Sequence, residues 1–168
     1  MKRLRQKTVL RQRTAEAPAA PPLGVRYRVR EGRLLEVDDV TSARMRRVRQ
    51  RGTRPELVVR RALTALGYHY RLANRDLPGS PDIANRRQRW VVFVHGCFWH
   101  RHGCKASTTP TRNRDFWEAK FARNVARDQR TTEALEALDY VVAVIWECDT
   151  KRGEPPIRAE LSRLLESR

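Results

Sequence analysis

In the stretch "TRPELVVRRALTALG" the apolar residues Val59, Ala62, Leu63 and Leu66 recur at the i, i+3, i+4, i+7 spacing that lines one face of a helix. Gly67 is placed to end that helix, and Thr53 with Glu56 three residues later forms a T-x-x-E capping box at its start. Glu56 therefore has a structural role available. After the turn-rich "ANRDLPGSP" come "DIAN", the polar "RRQR" and "WVVFVH", which predict two short strands around a tight turn. The second strand is apolar on both faces, as expected of a central strand in a sheet covered on both sides.

From Asp115 to about Leu138 the pattern predicts a long helix, with Trp117, Phe121 and Val125 four apart and Leu135 and Leu138 on a similar stripe. "YVVAVIWEC" predicts another buried strand. In "EPPIRAELSRLLESR" the prolines suit a helix's first turn, and Ile157, Leu161, Leu164 and Leu165 form its docking face. The order helix, hairpin, helix, strand, helix is that of a mixed α/β protein. Residues 1 to about 40 differ: they mix Arg and Lys with "AEAPAAPP" and hold no sustained period, which predicts a flexible basic arm ahead of a domain spanning 41–168.

The 168 residues suffice for one domain with a core of its own. A formal charge of +17, from 36 Lys and Arg against 19 Asp and Glu, exceeds what solubility requires and implies a polyanionic partner, nucleic acid first. A catalytically silent binder would carry such a charge too. The start "MKRLRQKTVLRQR" has no apolar stretch after its basic run, and no later segment is long enough to span a bilayer, so a soluble protein of the cell interior is expected. In that reducing setting three cysteines point to metal binding or burial rather than to disulfides.

Chemistry concentrates in "HGCFWHRHGC", residues 95–104, which holds three of the four histidines and two of the three cysteines. Cys97 and Cys104 there, with Cys148 at the end of the last strand, supply three ligands for a zinc site that needs four. His102 and His100 both have ligand spacing for the fourth place, and the sequence leaves the choice between them open. Such a site would tie the loop to the far strand. Asp82, in "LPGSPDI" at the entry of a strand, has the placement of a cap or turn residue. It also has that of a hard oxygen ligand for Mg²⁺, which serves phosphodiester hydrolysis by polarising water and neutralising the leaving oxygen.

Taken together, "LPGSPDI", "VFVHGCFWHRHGC", "DFWEAKFARNVARD" and "VIWEC" strongly resemble the very short patch repair (Vsr) endonucleases of the PD-(D/E)xK nuclease superfamily, over residues 41 to about 150. The resemblance implies a restriction-endonuclease-like mixed central sheet flanked by helices, with a structural zinc site. It implies a monomeric bacterial enzyme of the cytoplasm and nucleoid that nicks double-stranded DNA 5′ of the T in T:G mismatches, repairing deaminated 5-methylcytosine, with mismatch-repair proteins as partners. By the same resemblance Asp82 and the backbone carbonyl of Val94 hold Mg²⁺, His100 is the general base, and His95 and Glu56 assist. Cys97, His102, Cys104 and Cys148 hold Zn²⁺, and Phe98, Trp99 and Trp117 wedge into the base stack. Asn124, Arg127 and Asp128 match the family's N-x-x-R-D and are expected to hold the site from behind.

Two departures bear on this. The family usually has Thr before His-Gly-Cys, where this chain has Val94, so a hydroxyl is lost while the backbone carbonyl stays. The acid-and-lysine pair of the wider superfamily is absent from the second strand, consistent with a histidine base. Two other readings fit the charge and the ligands: a zinc-stabilised DNA-binding module without catalysis, and a restriction or defence nuclease with another target. Asp82 together with His100 favours the mismatch enzyme over the first, and the long basic arm keeps the second in view.

Overall fold

The computed structural model describes residues 25–165, which fall into two compact units divided after Ala43. In the first, β1 (Val25–Arg30) and β2 (Arg33–Asp38) form an antiparallel hairpin, followed by the start of α1 (Asp39–Arg47). The pairing of Arg30 with Arg33 leaves Glu31 and Gly32 as a two-residue turn, and both have positive φ (51° and 72°). That backbone matches the twist of the strands it joins. Asp38 closes the hairpin and opens the helix, its carboxylate accepting hydrogen bonds from the Thr41 amide at 2.6 Å and hydroxyl at 2.9 Å.

Of the arm expected over residues 1–40, residues 1–24 lie outside the described residues, and the rest holds the two strands with the turn at Glu31 and Gly32 between them. "VRYRVR" does alternate with period two, but three of its six positions are Arg, and "RLLEVD" breaks the alternation at its adjacent leucines, so the stretch reads as a charge run.

The second unit is built on a four-stranded sheet of order β3 (Arg71–Leu72), β4 (Ile83–Asn85), β5 (Trp90–His95), β6 (Val141–Trp146). β3, β4 and β5 are antiparallel, and β5 and β6 run parallel, with Trp90 opposite Val141 and His95 opposite Trp146. Alternate residues serve opposite faces. Ile83, Trp90, Val92, Ala143 and Ile145 pack on one side with α2 (Arg54–Ala65) and α6 (Glu154–Leu165). Ala84, Val91 and Phe93 pack on the other with Leu135 of α4 (Arg114–Glu136). This two-sided burial explains why "WVVFVH" carries no polar face. The mixed α/β architecture is as expected. Among the described residues no helix is long and apolar enough to cross a membrane.

The capping box at Thr53 is present: its hydroxyl accepts from the Glu56 amide, and the Glu56 carboxylate accepts from the Thr53 amide. Val58, Val59, Ala62 and Leu63 of α2 are buried, each large one contributing about 1.5–3 kcal/mol of burial free energy. α6 docks through Ile157 and Leu161, with Leu164 and Leu165 partly buried. On α4 the expected stripe is corrected: Phe116, Phe121 and Leu135 are buried, while Val125 and Leu138 are 44% and 47% exposed. A row of every fourth residue rotates around a helix of 3.6 residues per turn, so Val125 lies about 80° from Trp117, and Leu138 falls beyond the last turn. Short elements also appear where loops were expected: the one-turn helices α3 (Cys97–His100) and α5 (Glu147–Thr150), each following the end of a parallel strand.

Candidate active site and metal cluster

Both parallel strands end at the same level, so the segments leaving them meet. α3 follows β5 through Gly96, whose carbonyl accepts from the amides of Trp99 (3.0 Å) and His100 (3.2 Å). Arg101 then takes the left-handed conformation (φ 58°, ψ 51°), which reverses the chain and returns His102 toward Cys97. His102 Nδ1 lies 3.9 Å from Cys97 Sγ and 3.2 Å from Cys148 Sγ. The donor atoms of Cys97, His102, Cys104 and Cys148 all fall within 4.8 Å of one another. Tetrahedral ligands at about 2.0–2.3 Å from an ion stand about 3.3–3.8 Å apart, so a small contraction would close the set around a metal.

The chemistry of these thiols fits a cation. All three are free of disulfides. Burial pushes Cys148 up to about 12, with the neighbouring Cys97 adding to the effect, and burial also raises Cys97. Cys104 is brought down to about 6, first by the Ala106 amide and then by His102. Crowded thiols that resist joint ionisation are what a divalent ion relieves, releasing protons as it binds. Ser107 braces the turn, donating to the Cys97 carbonyl at 3.1 Å and accepting from the Gly103 amide at 3.0 Å. Of the two histidines with ligand spacing, His102 joins the thiols. His100 goes elsewhere.

His100 Nδ1 is hydrogen-bonded to Asp128 Oδ2, reached from α4. Since a carboxylate accepts, the neutral ring carries its proton on Nδ1 and its lone pair on Nε2. Its face stacks on His95, with centroids 3.8 Å apart and planes 11° from parallel. Rings in parallel planes cannot both direct a nitrogen lone pair at one ion, so the three groups His95, His100 and Asp128, although close enough to hold a metal, are better disposed to handle a proton. Burial, reinforced by His100, depresses His95 to about 4 and keeps it neutral at physiological pH. Trp146 stands between the two clusters, edge-on to His95 at 5.5 Å and stacked on His102 at 4.4 Å.

Asp82 enters from the other direction, just before β4. Its Oδ2 accepts from the Val94 amide at 2.8 Å. Burial raises its proton affinity against that hydrogen bond; Glu56 raises it further and His100 lowers it, so both lie within electrostatic reach. Glu56 itself is anchored, with Oε2 accepting from the Gly52 amide at 2.8 Å and Oε1 from the Thr53 hydroxyl at 2.9 Å.

The approach to Asp82 is fixed by residues that sequence reading passes over. Asn74 is buried and its Nδ2 donates to the carbonyls of Arg71 (3.0 Å) and Pro81 (3.2 Å). Gly79 (φ 69°) presses on α4 so closely that a Cβ there would meet Thr131 Cγ2 at 2.2 Å. Nothing in a turn-rich stretch marks which Asn or Gly makes such contacts.

Phe98, Trp99 and Trp117 form one ring cluster with Phe121. Phe98 is edge-to-face with Trp99, Trp117 and Phe121 at 4.9, 5.6 and 5.1 Å. Trp99 and Trp117 are 6.0 Å apart. Only Phe121 is buried; the other three are partly exposed and stand outside both sheet cores. Cations rim the cluster, with the Lys120 ammonium 4.9 Å from Trp99 and 5.3 Å from Trp117, and Arg101 at 4.7 Å over Phe121. Asn124 Nδ2 donates to the Trp99 carbonyl at 3.0 Å, so α4 holds both the rings and the His100 partner.

The chain is similar to known endonucleases. A family model described as "DNA mismatch endonuclease Vsr" matches residues 37–106. The chain is 50% identical over 105 residues to the type II nicking enzyme V.XorIIP of Xanthomonas oryzae pv. oryzae, covering 62% of this chain and 77% of that protein. It is 37% identical over 121 residues to the type II nicking enzyme V.NmeAIP of Neisseria meningitidis, covering 72% and 86%. To the DNA mismatch endonuclease Vsr of Escherichia coli it is 36% identical over 125 residues, covering 74% and 80%.

Proposed function

Since the chain belongs to the Vsr family and is a DNA endonuclease, we propose that it nicks one strand of duplex DNA 5′ of the T in T:G mismatches. The observation that carries this reading is that Asp82 and His100 lie within electrostatic reach of each other, with a partly exposed ring cluster two of whose rings share α3 with that histidine.

In this reading Asp128 sets the tautomer of His100, whose Nε2 takes the proton from the attacking water, and the Asp128 carboxylate then stabilises the imidazolium. His95, kept neutral, stacks beneath and fixes the ring plane without adding a competing charge. Asp82 and the Val94 carbonyl would hold Mg²⁺. The ion, when bound, supplies polarisation of water and phosphate and neutralises the leaving oxygen. The Val94 amide keeps Asp82 oriented, and this backbone contact does not need the hydroxyl that the family usually has at position 94. Glu56, restrained by its cap, adds negative charge that favours a cation over a proton once the ion is present.

Zn²⁺ is the ion proposed for Cys97, His102, Cys104 and Cys148, with a structural role, because four protein ligands leave no open position for substrate. Phe98, Trp99 and Trp117 act as the wedge. Unstacking costs a few kcal/mol per step and is cheapest at a faulty pair, so insertion selects a mismatch. The names of two relatives as nicking enzymes support cleavage of a single strand. A monomeric enzyme acting on the bacterial nucleoid, with mismatch-repair proteins as partners, completes the proposal.

The test is incubation of labelled duplexes carrying T:G in varied contexts, matched duplex and single strand, with Mg²⁺ or with EDTA. One strand cut beside the T, only with metal, is the expected result. Equal cutting of the matched duplex would refute the mismatch assignment, and undiminished cutting in EDTA the role given to Asp82.

A further inference from the structure

The β1–β2 hairpin stands almost wholly outside the region matched by the family model, which begins at residue 37, and none of the chemistry above uses it. Its register places Arg26 opposite Val37, Arg28 opposite Leu35, and Arg30 opposite Arg33. Directly opposed residues of a two-stranded ribbon point to the same side, and the side alternates along each strand. Arg26, Arg28, Arg30 and Arg33 therefore share one face. Glu36 and Asp38 fall on the other, with Val29 and Leu34. Charge is thus sorted by face: four cations and no carboxylate on one, two carboxylates and no cation on the other.

Arg26 is paired with Asp39, whereas Arg28, Arg30 and Arg33 are exposed around a buried Leu35. Alternate residues along a strand are about 6.6–6.8 Å apart. DNA carries one phosphate charge per about 1.7 Å of helix axis, both strands counted, so a face of several closely spaced cations meets several phosphates at once. Two strands about 4.8 Å apart are narrower than a major groove about 12 Å wide, so the ribbon can lie against the phosphates that border it. The guanidinium fork suits phosphate oxygens, so the arginine face is the one that engages a duplex.

We infer that the arginine face of the β1–β2 hairpin is a second contact with duplex DNA, one that grips backbone phosphates irrespective of sequence. It adds affinity on matched and mismatched duplex alike and leaves the choice of the mismatch to the ring cluster. The inference rests on the chain acting on duplex DNA but not on the T:G preference.

The experiment compares the full-length chain with its R28A/R30A/R33A and R28K/R30K/R33K variants, measuring affinity for a matched and a T:G duplex across a salt series. Each phosphate contact contributes about 0.9 to the slope of log affinity against log salt, so the alanine triple should flatten that slope by up to about 2.7, equally on both duplexes. The lysine triple should keep the slope, because it keeps the charges. Metal content and melting temperature are measured in parallel, and both should match the parent, since the three side chains are exposed. An alanine triple with the parental slope would overturn the inference, and so would a lysine triple flattened as far as the alanine one. A flattened slope alongside cutting that ignores T:G would uphold the hairpin contact while refuting the mismatch assignment, so the two failures are separable.

Discussion

His100 and Asp128 are joined through Nδ1 and Oδ2 across 28 residues of sequence, one from the single turn after β5 and the other from the middle of α4. A carboxylate on the far side of an imidazole fixes the tautomer and steadies the charge that forms when the ring takes a proton. Asp128→Asn should therefore lower single-turnover nicking by about 10²–10⁴-fold while duplex binding and metal content stay near the parent's. Groups that work as one unit lose little more when both are removed. His100→Ala combined with Asp128→Asn should be no slower than His100→Ala alone, and losses that multiply would show that the pair does not act together.

Asp82 holds its charge at a cost to the fold. Burial raises its proton affinity, so the ionised side chain is less welcome in the folded protein than in the unfolded one. A group with a raised folded pKa contributes stability below its unfolded value, here near 3.8, and loses that contribution as pH rises through the folded value. Asp82→Asn keeps an oxygen for the Val94 amide and removes the charge. In magnesium-free buffer it should melt higher than the parent at neutral pH, with the gap closing as pH falls toward 3.8. Nicking should be lost. A variant less stable than the parent at neutral pH would contradict this account.

The four residues proposed to hold zinc link the ends of two strands, so loss of the ion should be felt as folding rather than as catalysis alone. Cys148→Ser should drop bound zinc from one equivalent toward none and destabilise the chain by several kcal/mol, read by metal analysis and thermal melting. His100→Ala should leave zinc content unchanged. Retention of a full equivalent of zinc by a folded Cys148→Ser protein would remove Cys148 from the ligand set.

Within the ring cluster, exposure separates a packing ring from an inserting one. Phe121 is 3% exposed, and Phe121→Ala should cost about 3–5 kcal/mol of stability. Trp99 and Trp117 are partly exposed, so Trp99→Ala and Trp117→Ala should cost much less stability yet reduce the preference for a T:G duplex over a matched one by about tenfold or more. Equal loss of affinity for both duplexes would assign these rings to general binding.

The sheet, its two covering faces and the long helices were legible in periodicity because burial acts on every second or every third and fourth residue. The candidate ligands of the loop stood out in the sequence because three His and two Cys rarely gather by chance within ten positions, whereas Asp82 and Cys148 lie outside that stretch. What escaped has particular causes. The choice between His100 and His102 depends on one left-handed residue, Arg101, which no pattern of polarity announces. The hairpin at 25–38 was hidden because arginine occupies every second position of its first strand and adjacent leucines break the alternation of its second. Asn74 and Gly79, which seat Asp82, act through contacts with residues far along the chain or with backbone carbonyls, and those exist only once the fold does.

The parallel register of β5 and β6 brings Cys97 and Cys148 out on the same rim of the sheet. A zinc ion held by the proposed ligands would rivet that rim. Chelation of such an ion should therefore change the order of opening: amides of His95 and Trp146, slow to exchange while the rivet holds, would become the first in the strand pair to trade protons with solvent, and the end of the sheet that carries the candidate active site would be the first part to come undone.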